Sequence, residues 1–358
     1  MKKLIVSLAT LGTGGAERVL SVLSSHLADC FDEVQYVMWE GGEIFYSIDQ
    51  RIKIVSLPSI SGHKGRLRQI WSFRKYIKKE NPDLILSFLT PYNMLVLLST
   101  MGLNKRIIVA ERTDPKRLLS GGRLMLRVRD VLYHRAYGIL TQTQYAKDCY
   151  DTKFKGKTKV LSNPITMGSD YVGKALSTQK ERLFVTAGRL EAVKDQAMLV
   201  KAFALFHKSH QDYRLIIYGE GPLLGALQDT IQKAELENAV TLAGRTNQLW
   251  DKILSAECFI LTSRAEGMSN ALVEAMCLGL PVISTRVAGA TDLIKDGENG
   301  YLIDVQDQNA LVDRMRRIAD SFDLRTKMGN DAVKVYDIFR EEIVCKEWGD
   351  YLKSIIDK

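Results

Sequence analysis

Short apolar runs alternate along the chain with longer stretches in which apolar side chains return every three or four positions, the pattern of strands alternating with helices. The first run, Leu4–Leu8, is followed by Gly12, Gly14 and Gly15 and then by a helical pattern from Ala16 to Leu27, which predicts strand, tight glycine turn and helix. Further strands are predicted at Glu33–Met38, Ile52–Leu57, Leu84–Phe88, Arg106–Ala110, Gly138–Thr141 and Lys159–Leu161. Helical stretches between several of them imply a parallel sheet. After Asn163-Pro164 a polar segment, Thr166–Lys180, reads as a linker. The alternation then restarts, with strands at Leu183–Ala187, Arg214–Tyr218, Val240–Ala243, Cys258–Thr262 and Val282–Thr285. The final stretch, Val335–Ile356, sets Ile338, Phe339, Ile343, Trp348, Leu352 and Ile355 among charges and predicts an amphipathic helix. The expectation is two open α/β domains of similar size, with ligands in the crevice between them at the C-terminal ends of the strands.

A length of 358 residues, 46% of them hydrophobic and 26% charged, accommodates two such domains and excludes disordered, collagen-like and coiled-coil classes. The five cysteines, Cys30, Cys149, Cys258, Cys277 and Cys345, form no CxxC pair, so neither a disulfide framework nor a zinc site is indicated and a reducing compartment is expected. Leu4–Ala9 is too short for a signal-peptide core and Met94–Leu103 is about half a membrane span, so the chain is not expected to cross a bilayer. The net charge of +8 is uneven, because residues 1–170 carry 26 Lys and Arg against 15 Asp and Glu while the remainder is slightly acidic. A one-sided charge fits nucleic acid, an anionic lipid surface or a phosphorylated substrate, and also plain scatter over solvated faces.

Candidate chemistry concentrates in the second half. In the segment from Arg264 to Met276 two carboxylates, Glu266 and Glu274, stand eight residues apart after a predicted strand. Gly267, Met268, Ser269 and Asn270 suit a turn with free backbone N–H groups, Asn270 can cap the following helix, and Glu274 then falls in that helix's first turns. Glu274 can equally be a partner of the helix dipole and Glu266 a loop charge. Gly188-Arg189-Leu190 and Lys194 follow another strand; a guanidinium fork and an ammonium at a strand end can grip a diphosphate, or can be solvated charges. Gly219-Glu220-Gly221-Pro222 reads as a loop after a strand.

In this order, these pieces resemble the retaining glycosyltransferases of family 4, whose fold class is α/β with the GT-B architecture: two Rossmann-like, doubly wound domains facing each other across a crevice. The resemblance runs through Gly14-Gly15-Ala16-Glu17-Arg18, Asn163-Pro164, Gly188-Arg189-Leu190 with Lys194, Gly219-Glu220-Gly221-Pro222, Gly244-Arg245, the pair Glu266 and Glu274, Gly289-Ala290, and Asp296-Gly297-Glu298-Asn299-Gly300. It implies an N-terminal acceptor domain at 1–165, a C-terminal nucleotide-sugar domain at 166–335 and a final helix at 336–358 that crosses back. It also implies that Glu274 binds the ribose hydroxyls, that Glu266 faces the donor sugar, and that Arg189 and Lys194 hold the diphosphate. Cleaving the sugar from the nucleotide puts negative charge on the diphosphate and positive charge on the anomeric carbon, so cations at the first and a carboxylate near the second lower the barrier. With those cations and helix N-termini no metal or other cofactor is expected, and no Asp-x-Asp motif lies in the first half. The donor is expected to be a UDP-sugar, with Gly14, Gly15, Gly188, Gly219, Arg245 and the loop Gly267, Met268, Ser269, Asn270 lining the substrates. Where many relatives place a histidine, this chain reads Ala110-Glu111-Arg112, which leaves that role to Glu111 or Arg112 or to no residue.

Basic residues in the first half cluster at 64–79 and 116–135, interleaved with apolar side chains. On a helical wheel Lys64, Arg68, Lys75, Lys78 and Lys79 share roughly a third of the circle, and Leu67, Ile70, Phe73 and Ile77 occupy a neighbouring arc. Such a helix can lie on an anionic leaflet, engage an acceptor pyrophosphate, or pack on the core with a solvated basic face. The opening segment, Ser87-Phe88-Leu89 and this helix resemble bacterial enzymes that extend undecaprenyl-diphosphate-linked oligosaccharides, such as N-acetylgalactosaminyltransferases of protein N-glycosylation. The expected activity is therefore transfer of a hexose or N-acetylhexosamine to a polyprenyl-diphosphate-linked saccharide, on the inner face of the cell membrane. A soluble or other lipid acceptor is the alternative. Rival classes fit less well. A nucleotide-sugar 2-epimerase would lack the paired glutamates, a nicotinamide-binding protein would need a different glycine spacing, and the basic stretches lack the aromatic pattern of a nucleic-acid binder.

Overall fold

The computed structural model describes residues 2–58, 63–115 and 122–357, and the chain divides into two compact units, Met1–Thr166 with Glu341–Lys358 and Met167–Arg340. The first unit runs β1 (Lys3–Leu8), α1 (Gly15–Cys30), β2 (Glu33–Met38), β3 (Lys53–Ser56), α2 (His63–Glu80), β4 (Leu84–Phe88), α3 (Thr90–Ser99), β5 (Arg106–Ala110), α4 (Gly122–Tyr133), β6 (Gly138–Thr141), α5 (Gln144–Asp151) and β7 (Thr158–Val160). The second runs α6 (Lys174–Ser177), β8 (Leu183–Ala187), α7 (Gln196–His207), β9 (Arg214–Tyr218), α8 (Leu224–Lys233), β10 (Val240–Gly244), α9 (Leu249–Ile253), β11 (Cys258–Leu261), α10 (Asn270–Cys277), β12 (Val282–Thr285), α11 (Ala288–Leu293), β13 (Tyr301–Ile303), α12 (Gln308–Asp320), α13 (Phe322–Ala332) and α14 (Tyr336–Phe339). Helix α15 (Glu341–Ile356) then rejoins the first unit.

Each unit is built on one parallel sheet, ordered β3-β2-β1-β4-β5-β6-β7 and β10-β9-β8-β11-β12-β13. Strands β4, β6, β11 and β12 are buried throughout, as strands covered on both faces must be, which is why they read as unbroken apolar runs. In each sheet the winding reverses once, beside β1 and β4 in the first unit and beside β8 and β11 in the second. Loops leaving the C-terminal ends of strands diverge at such a reversal and open a ligand crevice. Helices α1 and α15 cover one face of the first sheet, where Trp348 is fully buried, stacks on Phe88 at 6.0 Å and donates its indole N–H to the Ser162 carbonyl (3.0 Å). Helices α2, α3 and α4 cover the other face.

Several expectations are corrected. The segment 166–180 is docked, not loose: Met167 and Ala175 are buried, and the Gly173 and Ala175 N–H groups donate to the Cys277 and Leu278 carbonyls (both 2.9 Å) at the end of α10. Backbone docking of this kind leaves no periodic trace in side-chain polarity. Strand β13 was not anticipated, since three residues are too few to show a period. In α2 the core receives Phe73 and Ile77, whereas Leu67, expected on the apolar arc, is exposed together with Trp71.

Candidate functional site

The reversal in the second sheet gathers the residues that the sequence separates. Leaving β8, residues 188–195 form a tight loop, and the loop after β11 lies against it: the Arg264 N–H donates to the Val193 carbonyl (2.7 Å), and the Thr262 hydroxyl donates to the carbonyls of Lys194 (3.0 Å) and Asp195 (3.2 Å). Asp195 adopts a left-handed conformation (φ 49°) before α7 and accepts the Arg264 Nε–H at 2.7 Å; that hydrogen bond holds the guanidinium above its ordinary pKa. So pinned, Lys194 places its ammonium in an ion pair with Glu266, whose Oε1 also accepts the Ser263 hydroxyl at 2.7 Å. The pair is mostly enclosed, with 21% and 13% of the two side chains exposed. Arg189 is 76% exposed and holds Glu191 at 3.0 Å, so its guanidinium is open to a ligand on that surface.

Three glycine loops support this arrangement. The Gly188 N–H donates to the Tyr218 carbonyl (3.0 Å), Leu190 N–H to Glu220 (2.9 Å), Leu223 N–H to Leu190 (3.1 Å) and Gly219 N–H to Gly244 (2.7 Å), which joins the loops after β8, β9 and β10 edge to edge. Gly219 sits at φ 141°, and a Cβ there would meet the Gly188 carbonyl. Two peptide chains can approach this closely only where neither carries a side chain between them. Arg245 follows on the exposed surface.

Glu274 is buried within α10, one turn beyond the loop Gly267, Met268, Ser269, Asn270. The cap is Ser269, whose hydroxyl accepts the Leu272 N–H at 3.4 Å; Asn270, expected in that role, is the first helical residue. Gly289, at the start of α11, seats this loop, because a Cβ there would lie 2.5 Å from the Gly267 carbonyl and 2.9 Å from the Met268 Cα. Burial and then the Glu274 charge push the Cys277 thiol up to about 12, so it is no nucleophile.

In the first unit Gly14 is the N-cap of α1 and Gly15 its first residue; Gly14 brings no side-chain cap of its own, and the Glu17 carboxylate folds back onto the place a Gly14 Cβ would take. Leu89, which joins β4 to α3 as the N-cap of that helix, sits at φ 73°, a conformation that a leucine holds only when its surroundings impose it. The strand pleat then sends Glu111 and Arg112 to opposite faces. Glu111, expected beside a substrate, is turned into the core. Its carboxyl group accepts Thr90 Oγ1 (2.7 Å), Asn93 Nδ2 (3.1 Å) and the Tyr133 hydroxyl, so both of its oxygens are engaged in the core. Arg112 sits against both rings of the Phe88–Trp348 stack (4.6 and 5.1 Å) with Nη1 on Asn163 Oδ1 (2.7 Å). Its Nε and Nη2 are shielded from solvent and unpartnered among the described residues, and burial, partly offset by the Glu111 charge, pulls the group down to about 9. Of the cations expected on α2, Arg68, Lys75, Lys78 and Lys79 are exposed, while the Lys64 side chain lies outside the described residues. Residues 116–121 of the second basic stretch do so as well.

The supports Thr262, Ser263, Asp195 and Arg264 were not singled out from the sequence. Their only local signal was adjacency to Lys194 and Glu266, and the pairing itself spans 72 positions. The sheet-facing partner of Arg112, Trp348, comes from the far end of the chain.

Residues 13–167 match the family described as Glycosyltransferase Family 4, and residues 170–335 match Glycosyl transferases group 1. The chain is 28% identical, over 97% of its own length and 97% of the relative's, to the Campylobacter jejuni "GalNAc-alpha-(1->4)-GalNAc-alpha-(1->3)-diNAcBac-PP-undecaprenol alpha-1,4-N-acetyl-D-galactosaminyltransferase". It is 25% identical, over 98% of this chain and 100% of the relative, to the amylovoran biosynthesis glycosyltransferase AmsD of Erwinia amylovora. Among solved structures it superposes on S. aureus TarM in a complex containing UDP (TM-score 0.81, 14% identity, 100% of both chains). It also superposes on Anabaena HepE with UDP and glucose (TM-score 0.80, 19% identity, 98% of this chain and 99% of that one). At these identities the likeness to the solved structures is one of fold.

Proposed function

Because the chain belongs to the glycosyltransferases of the family 4 and group 1 type, with a two-domain GT-B fold, we propose that it is a retaining, metal-independent enzyme acting on lipid-linked saccharides. It moves a hexose or N-acetylhexosamine from a UDP-sugar to a polyprenyl-diphosphate-linked saccharide during assembly of a bacterial surface glycan, bound peripherally at the inner face of the membrane. The observation that carries this reading is the Lys194–Glu266 pair at the winding reversal of the second sheet, with Arg189 exposed on the same loop as Lys194. Arg189 and Lys194 take the diphosphate, aided by the backbone N–H groups of the loop at Gly267, with Arg245 on the donor side. Glu274 takes the ribose hydroxyls, and Met268, Ser269 and Asn270 border the sugar. As the bond from the anomeric carbon to the diphosphate breaks, its electron pair goes to the phosphate oxygen beside the two cations. Glu266, held in place by Lys194 and Ser263, faces the positive charge left on the sugar. In the first unit Gly14, Gly15 and Arg112 serve the acceptor side, Arg112 in place of the histidine of many relatives. The undecaprenol-linked acceptor in the Campylobacter relative's name and the UDP in the TarM and HepE complexes support the substrate classes.

The test is a panel of nucleotide sugars assayed for hydrolysis and for transfer to a bacterial lipid extract, with and without EDTA. A UDP-sugar should be turned over unchanged by EDTA, and Arg189→Ala or Lys194→Ala should each slow transfer about a hundred- to a thousandfold, the scale for losing one contact to a developing charge. Wild-type turnover in either variant, or activity abolished by EDTA and restored by magnesium, overturns the assignment.

A further inference from the structure

The exposed apolar side chains of the first unit collect on two helices. Leu67 and Trp71 on α2 are 69% and 71% exposed, and Leu124 and Val131 on α4 are 71% and 69% exposed, with Val128 between them. Leu67 and Trp71 are four apart, and Leu124, Val128 and Val131 are four and three apart, so each set forms one outward stripe. The two stripes belong to one surface. The inner sides of α2, α3 and α4 enter a single core that holds Phe73, Ile77, Tyr92, Val96, Leu132 and Tyr133, so the three helices form one layer on one face of the sheet. Both α2 and α4 pack against α3 and leave the C-terminal edge of the parallel sheet. Leu67, Trp71, Leu124 and Val128 therefore lie towards the edge where Gly14, Leu89 and Arg112 follow their strands.

Cations frame these stripes and carboxylates are missing from them. Arg68, Lys75, Lys78 and Lys79 on α2 and Arg123 and Arg127 on α4 are exposed, and none has an ion-pair partner among the described residues. The neighbouring acids are already engaged: Glu80 with Lys3, and Asp130 with Arg129 and Lys153. We propose that the outward face of the α2–α4 layer is a bilayer-docking surface, on which Leu67, Trp71, Leu124 and Val131 enter the acyl boundary of an anionic membrane while the flanking Arg and Lys meet its headgroups. The proposal rests on the reading of the enzyme as one with a lipid-linked acceptor, and deepens it by naming which residues insert. Charge and chemistry select this occupant. A second copy would bring the same basic face against itself, and isolated Leu and Val side chains offer nucleic-acid bases nothing to stack on. An anionic lipid surface supplies both an apolar interior for the stripes and phosphates for the cations. No helix of the described residues is long and apolar enough to cross a membrane, so the contact is interfacial.

Trp71 is a built-in reporter, since Trp39 and Trp348 are fully buried and Trp250 belongs to the other unit. The full chain is mixed with vesicles of phosphatidylglycerol and phosphatidylethanolamine, with neutral phosphatidylcholine vesicles, and with anionic vesicles carrying brominated acyl chains. The expected result is binding to the anionic vesicles, a blue shift of tryptophan emission and quenching by the brominated chains, with both optical signals absent in Trp71→Phe. Leu124→Glu with Val131→Glu should weaken vesicle binding at least about tenfold, and each of Arg68→Ala, Lys75→Ala and Arg127→Ala about fivefold. Thermal melting and donor-sugar hydrolysis should stay at wild-type values, since these side chains are exposed and belong to the first unit, whereas Arg189, Lys194, Glu266 and Glu274 belong to the second. Absence of binding to anionic vesicles overturns the proposal. So does binding without a shift or quenching of Trp71, which is adhesion by charge alone. A concentration-dependent dimer lost in the Leu124→Glu, Val131→Glu variant, or retention on DNA, would assign the face to a second copy or to nucleic acid instead. Failure of the wild-type protein to hydrolyse any nucleotide sugar, with vesicle insertion intact, would count against the proposed activity and leave the docking face standing.

Discussion

Replacing Gly221 by alanine tests whether the close approach of the glycine loops positions the donor site. A Cβ on Gly221 would lie 2.5 Å from the Leu190 carbonyl oxygen and 2.8 Å from the Leu190 nitrogen, all backbone that cannot rotate away. An ordinary carbon–oxygen approach is about 3.3 Å, so the two loops must part by about 0.8 Å. Parting them strains the Leu190 N–H to Glu220 and Leu223 N–H to Leu190 bonds, and it displaces the segment from Arg189 to Lys194. Overpacking of this kind costs about 1–3 kcal/mol in stability, and a misplacement approaching 1 Å at a reacting centre costs on the order of tenfold to a hundredfold in rate. Gly225, four residues on in α8, is the control: a Cβ there meets nothing within 4 Å, so Gly225→Ala should stabilise by about 0.5–1 kcal/mol through helix propensity and leave turnover alone. Urea unfolding of both variants, paired with donor hydrolysis rates, reads the two effects separately. Turnover of Gly221→Ala within twofold of wild type, or equal destabilisation by both substitutions, would refute the reasoning.

The two glutamates should separate by readout: Glu274→Gln should raise the UDP dissociation constant, whereas Glu266→Gln should depress turnover with UDP affinity nearly intact. Equal losses of UDP affinity in calorimetry would remove that division of roles. Lys180 makes a pH prediction, because burial, opposed by the Glu257 charge, pulls it down to about 8 while its ammonium donates to the Leu254 carbonyl at 2.9 Å. A folded pKa below the unfolded one means that the unfolded chain binds more protons between pH 8 and 10.5, so the penalty is present in full below pH 8 and fades as pH rises through that window. Lys180→Met should therefore stabilise the second unit by about 2 kcal/mol at pH 7, after allowance for the lost hydrogen bond, with the advantage shrinking towards pH 10. An advantage that grows with pH in urea melts would contradict the sign.

The strands were legible because a parallel strand buried on both faces needs an uninterrupted apolar run whatever its neighbours are. Leu84–Phe88, Arg106–Ala110, Gly138–Thr141 and Val282–Thr285 agree with their predicted spans for that reason. The glycines of the donor loops were legible too, since a positive φ or a close backbone approach admits no other residue, and the position of Lys194 after β8 and of Glu266 after β11 follows from strand ends alone. Their pairing does not. It depends on β8 and β11 lying side by side in the sheet, a choice of strand order that no local energy encodes.

The same distinction separates Glu111 from Arg112 and accounts for α2. Sequence places both charges at the end of β5, but only the packed sheet decides that one face holds Thr90, Asn93 and Tyr133 to satisfy a carboxylate while the other holds Phe88 and Trp348 against a cation that remains partly unpartnered. In α2 the periodicity fixes the angles between side chains about the helix axis, and it groups Leu67 with the apolar arc. The rotation of that helix against the sheet is set by how Phe73 and Ile77 fill the core, and that rotation turns Leu67 and Trp71 outward. Patterns within a few residues therefore determined the elements and the chemical groups available to this protein, because they arise from local backbone and burial preferences. Which groups meet, and which face is left uncovered, was decided by tertiary packing, because those energies exist only between segments distant in the chain.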